Sequence, residues 1–220
     1  MSIIARIVTA IALLVLVIAG APSAVAHVDV DIVRPADGAM AATPPARVVI
    51  KSTEPVRATS DTAQIVTGTG SVVPASVAVT AASGGSRITL TPRSPLSNGL
   101  YAVRWSLTGR DGHVVTGAGA FGVGPTSATG SPLSVPLTPT GPNGRVSSSS
   151  PGPMTFRLPS TRARGTATWE HPKLGAPLVW DLARVGAQLS GSGLLPLSGT
   201  WKVTVDAGGP RPWTGQVTLR

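Results

Sequence analysis

Leu100-Tyr101-Ala102-Val103-Arg104-Trp105-Ser106-Leu107 is the stretch on which the fold turns. Tyr101, Val103, Trp105 and Leu107 alternate with Ala102, Arg104 and Ser106. Successive side chains of an extended chain point to opposite faces, so this period assigns the first set to a core and the second to water. A second apolar run, Val114 to Val123, follows closely, with Asp111-Gly112 between the two. Asp-Gly is a common hairpin-turn pair, because the turn needs a left-handed residue that glycine supplies without steric cost.

Further short apolar segments lie on the N-terminal side, at 28–33, 46–52, 63–66, 76–80 and 87–91. With 100–107 and 114–123 they predict an immunoglobulin-like or Greek-key β-sandwich over residues 27–123. Gly124 to Pro132 has linker composition. Beyond it, 154–158, 166–169, 178–182, 187–195, 201–205 and 216–219 predict a second small β-sandwich over 133–220, and Ser147–Ser150 an exposed loop. Gly 26 and Pro 21 are high and long amphipathic helices are missing, so the whole chain reads as all-β.

Composition narrows the chemistry. The chain has Cys 0, which excludes disulfides, zinc–thiolate sites, iron–sulfur clusters and blue-copper centres. The formal net charge is +9, from 18 Lys+Arg and 9 Asp+Glu. The excess lies mainly after residue 126, where 9 basic residues face 3 acidic ones. These basic residues are scattered, with no stripe interleaved with aromatics, so nucleic acid is not an expected partner. No Ser/His/Asp arrangement, phosphate-binding glycine loop or carboxylate pair points to hydrolytic or nucleotide chemistry.

Residues 1–26 read as a secretory signal peptide: Arg6, an apolar run from Ile7 to Gly20, then Ala24-Val25-Ala26 as the cleavage triplet. The run falls short of the ~20 residues a membrane-spanning helix needs. Cleavage after Ala26 makes His27 the mature N-terminus, and the expected location is a periplasm, the cell envelope or the extracellular space. A terminal histidine offers an α-amine and an imidazole that chelate one metal ion together. Asp111 and His113 flank Gly112 and, in an extended segment, project to one face. If the first strand brings the terminus beside this turn, three nitrogens and one oxygen converge, a set that suits tetragonal Cu(II). Taken alone, Asp111-Gly112-His113 is equally an ordinary hairpin turn. His171 could be a ligand, but without a partner in sequence it reads as structural or merely exposed.

Residues 27–123 resemble the CopC family of exported copper-resistance proteins. The matching features are His27 after the cleavage site, Arg34-Pro35-Ala36-Asp37-Gly38-Ala39, Ser52-Thr53-Glu54-Pro55-Val56, Leu96 to Trp105, and Asp111-Gly112-His113-Val114-Val115-Thr116-Gly117 closing on Phe121 and Val123. The resemblance implies a Greek-key sandwich with one Cu(II) per chain, held by His27, Asp111 and His113. Glu54 matches an acidic residue near the family site, which implies an axial or outer-sphere role, and reads equally as an exposed strand-end residue. Some family members add a methionine-rich Cu(I) site. Here the mature chain has only Met40 and Met154, so none is expected. Gly199 to Val205 and Gly175-Ala176-Pro177 resemble small β-sandwich domains that accompany bacterial copper-transport proteins.

The expected function is non-catalytic: a monomer that sequesters Cu(II) or delivers it, with a membrane copper transporter as candidate recipient. Two alternatives remain at this stage. A histidine-brace copper monooxygenase would share His27 and His113, although Asp111 would fill the position oxygen needs. A metal-free structural or adhesive envelope module would need neither histidine.

Overall fold

The computed structural model describes residues 29–125, 130–139 and 141–220. The predicted leader and His27 lie outside them, as does part of the predicted linker. Ten strands precede Gly124: β1 (Val30–Arg34), β2 (Met40–Ala41), β3 (Val48–Ser52), β4 (Val56–Arg57), β5 (Ala63–Thr67), β6 (Val72–Val73), β7 (Ala75–Ala82), β8 (Gly85–Pro92), β9 (Gly99–Gly109) and β10 (Val114–Val123). Seven are the strands the alternation predicts. The other three have two residues each, too short to carry a period.

These strands form two sheets, β1-β3-β8-β7 and β2-β10-β9-β5-β6, with β4 on the end of β9. Strand for strand, that is the arrangement of immunoglobulin sandwiches. Ile32, Ile50, Ile88 and Leu90 of one sheet meet Ile65, Val103, Trp105, Leu107 and Phe121 of the other. Tyr101 stacks on Phe121 with ring centroids 5.4 Å apart, and its hydroxyl donates to the Ser97 carbonyl at 2.8 Å. A tyrosine near the start of this strand, bonded back to the preceding corner, is a recurring feature of such sandwiches. Gly117 lies opposite Trp105 in the β9–β10 register, and a Cβ there would stand 2.8 Å from the indole.

Eight strands follow: β11 (Leu133–Val135), β12 (Gly144–Val146), β13 (Gly152–Pro159), β14 (Arg164–Glu170), β15 (Leu178–Val185), β16 (Gln188–Leu195), β17 (Gly199–Asp206) and β18 (Trp213–Leu219). They make one antiparallel sheet in the order β11-β12-β13-β16-β15-β14-β17-β18. The sheet curls until its ends meet: Thr138, just past β11, and Thr214 of β18 exchange backbone bonds at 2.8 and 2.7 Å. The facing layers are therefore parts of one sheet around Phe156, Trp169, Trp180 and Trp201. Ser148, expected in an exposed loop, is buried, its hydroxyl turned back onto the Ser150 amide at 3.1 Å.

One expectation fails on β9. Its second face is not turned to water: Ala102 is fully buried and Arg104 half-buried. The C-terminal sheet covers this face, so Val66, Ala102 and Ala120 share a hydrophobic cluster with Leu174, Leu178 and Trp180. Small side chains at 102, 118 and 120 allow the close approach. The 171–177 loop supplies the polar contacts: Arg104 donates to the Leu174 carbonyl at 3.0 Å, Ala118 N–H to Pro177 at 2.9 Å, and Lys173 Nζ to Thr69 at 3.1 Å.

Candidate metal centre

The β9–β10 hairpin closes through a backbone bond from Gly109 N–H to the His113 carbonyl at 2.8 Å. Gly112 takes φ +84°, a left-handed conformation in which a Cβ would be strained. Asp111 then folds over the turn. One carboxylate oxygen accepts the His113 amide at 3.0 Å, and the other lies 2.7 Å from the ring Nδ1. Both side chains are open to solvent, His113 at 82% and Asp111 at 60%. The amide bond and then the ring bond from His113 hold the Asp111 carboxyl below the usual carboxylate range. Asp111 is thus an anion that fixes the imidazole and leaves Nε2 facing solvent. A carboxylate on one ring nitrogen orients the imidazole, and for Asp111 to ligate the same ion as His113 its bond to Nδ1 has to open.

Strand pairing brings the start of the described chain to this end of the sandwich. Val30 pairs with Ser52, and Val56, just past the crossing between the sheets, pairs with Gly109. Asp29 is clamped to the crossing: its amide donates to Thr53 Oγ1 at 2.9 Å, and its carbonyl accepts Thr53 N–H at 3.0 Å. The crossing is itself held by two buried serines. Ser52 Oγ donates to the Glu54 carbonyl at 2.7 Å, and Ser86 Oγ accepts the Val56 amide at 3.1 Å. Gly85 lies against Ser52 and Glu54 backbone with no room for a Cβ. The sequence reading takes Ser52 and Thr53 only as part of a motif and passes over Ser86, because polar residues at strand ends are the only signal of their roles.

The predicted site residues therefore fall into three groups. Asp111 and His113 are in direct contact. Glu54 lies on the crossing, half-buried, and makes no ion pair with either. His27 lies outside the described residues. Among those residues, no group of three or more His, Cys, Asp or Glu is close enough to hold a metal ion. Met40 pairs with Gly122, at the opposite end of β10 from His113, and Met154 is buried in the C-terminal core.

His171 has the structural role expected of it. Its ring is buried, 4.9 Å from Trp201, and Nδ1 accepts the Lys173 amide at 3.2 Å. The Leu174 amide donates to its carbonyl at 2.9 Å, so this histidine is the base of the 171–177 loop. Burial pushes its pKa down, partly opposed by a bond to the Ser198 backbone, and the Lys173 charge adds to the lowering. Gly199, at φ +117°, gives the ring its space.

The N-terminal unit is thus an immunoglobulin-type sandwich with an exposed carboxylate–imidazole pair at the end where its first strand begins. Residues 31–124 match the CopC domain model. The match covers the N-terminal sandwich and stops where the C-terminal sheet begins. Among solved structures, CopC from Methylosinus trichosporium OB3b aligns at 24% identity over 47% of this chain and 99% of its own, with a TM-score of 0.37. A titin immunoglobulin tandem aligns at 11% identity, covering 88% of this chain and 95% of its own, with a TM-score of 0.26. No curated protein matches the chain. Among the described residues, no helix is long and apolar enough to cross a membrane.

Proposed function

We propose that this protein is an exported, non-catalytic Cu(II)-binding protein of copper homeostasis. It takes one Cu(II) through the α-amine and imidazole of His27, Asp111 and His113, with Glu54 in an axial or outer-sphere position. The observation that carries this reading is the exposed Asp111–His113 pair of a CopC domain, at the end of the sandwich where β1 begins. Asp29 is bonded to Thr53, and His27 is two residues before it, within reach of that end. Three nitrogens and a carboxylate oxygen favour Cu(II) over the softer Cu(I). The bound ion is sequestered, or handed to a membrane transporter.

The ligand set requires processing after Ala26, because an amide nitrogen does not replace a free amine. The test is a Cu(II) titration followed by electron paramagnetic resonance, comparing a chain that starts at His27 with one that retains Ala26. One equivalent with a tetragonal, nitrogen-rich spectrum in the first and a changed or lost signal in the second is expected. Equal binding by both would refute the terminal brace.

A further inference from the structure

The outward face of the β1-β3-β8-β7 sheet carries an arrangement the copper reading does not use. A β-bulge interrupts the β1–β3 register between Ile32 and Arg34. Without it, Arg34 would follow Val30 and Ile32 toward the core. With it, both Val33 and Arg34 are exposed. A bulge re-aims a side chain in this way at a cost to the ladder. Arg34 then stands opposite Val49, and Val49 opposite Thr89, with Arg87 two residues further along β8. Arg47 is exposed and directly precedes β3. The three arginines line a groove of about 720 Å³ together with Val33, Pro45, Ala46, Val49 and Thr89.

None of these three guanidinium groups makes an ion pair or side-chain hydrogen bond within the described residues. Of the arginines among the described residues, only Arg104, on Gln64 and Leu174, and Arg184, on Gly186 and Thr161, have side-chain hydrogen bonds, so what sets Arg34, Arg47 and Arg87 apart is that all three line one cavity. Asp31, the nearest acid on β1, stands opposite Lys51. Val49 is on the outer side of its strand yet only 6% exposed, so its neighbours cover it. Long arginine stems cover apolar surface in this way while their heads stay in water.

We propose that this groove binds a phosphate ester. Guanidinium forks match phosphate oxygens in bidentate geometry, and three of them suit a multiply charged or shared phosphate. Val33, Pro45 and Ala46 in the lining offer apolar contact to the carbon skeleton of the ester, and the volume lies in the range of small-molecule sites. The same chemistry is offered by the headgroup of an anionic phospholipid and by a soluble organic phosphate.

The full chain is compared with Arg34→Gln/Arg47→Gln/Arg87→Gln and with Arg145→Gln/Arg157→Gln/Arg211→Gln, which removes equal charge from the C-terminal sheet. Fructose 1,6-bisphosphate is titrated by calorimetry at near-physiological ionic strength, where weak long-range attraction is screened. Co-sedimentation uses phosphatidylcholine vesicles with and without phosphatidylglycerol, so that any leader-driven binding appears on both. The expected result is binding to one probe or both, weakened by about tenfold or more in the first variant and within about twofold in the second. Binding to the bisphosphate alone assigns a soluble ligand, and selective binding to phosphatidylglycerol vesicles assigns a headgroup. Equal loss in both variants, or no binding to either probe, overturns the proposal. Arg47→Gln alone, at an exposed residue just before β3, gives the same comparison should the triple variant not fold.

Discussion

Leu174 gives the sharpest test of how the two sheets systems are joined. Its side chain is fully buried although it sits in a loop, because that loop lies against the face of β9 carrying Ala102. Leu174→Ala should cost about 2–5 kcal/mol, the range for a buried leucine whose cavity cannot collapse. With a urea m-value of about 1–3 kcal/mol/M, the midpoint should fall by roughly 1–2 M. Val66, on β5, is buried in the same cluster. Val66→Ala and Leu174→Ala should therefore couple in a double-mutant cycle by about 0.5–3 kcal/mol. Unfolding followed by tryptophan fluorescence and by circular dichroism should give one coincident transition, since a shared cluster makes the sandwich and the curled sheet lose stability together. A Leu174→Ala cost below about 1 kcal/mol, with the pair additive, would refute the docked arrangement.

Three further outcomes follow from the geometry. His171→Gln should flatten the acid limb of stability. Its folded pKa is lowered, so the unfolded chain binds the proton more readily, and stability should decline as pH falls below about 6.5. Urea titrations across that range would contradict this if wild type and variant lost stability in parallel. Asp111→Asn should weaken Cu(II) binding by about 10–100-fold in competition with a chromogenic chelator. Because the Asp111 carboxyl is held low, it stays ionised down through the ordinary carboxylate range, and its charge is lost only as pH falls through the lowered value. Affinity should therefore rise with pH as the α-amine (reference pKa about 7.7–8.0) loses the proton that competes with the ion. A titration curve governed instead by a group near pH 4 would sink that assignment. Gly117→Ala drives a Cβ into the Trp105 indole and should cost about 1–3 kcal/mol in a thermal melt. A neutral result would mean that the indole has room to move.

The site was legible where it depends on local chemistry. Asp111-Gly112-His113 announces a turn, and the turn by itself forces carboxylate and imidazole together, because Gly112 supplies the left-handed step and Asp111 caps the His113 amide. The contact between Asp111 and Nδ1, which leaves Nε2 as the open donor, was not legible, since spacing fixes a face and not a hydrogen bond. Glu54 shows the same limit. Its motif marks the crossing between the sheets, but only Ser52, Ser86 and Gly85 decide where that crossing lies.

By itself the sequence determined the long strands, the turn and the candidate ligands, because period-two alternation and left-handed glycines are local constraints that hold in any tertiary setting. Only the tertiary structure decided the fate of the other face of β9. Ala102, Arg104 and Ser106 give the same alternating pattern whether that face meets water or another sheet. What separates the cases is the small size of Ala102, Ala118 and Ala120 and a loop more than fifty residues away, with Leu174 to fill the space and a carbonyl to receive Arg104. The bulge that turns Arg34 outward is of the same kind, since a single extra residue in a ladder leaves no mark on composition and appears only when two strands are paired.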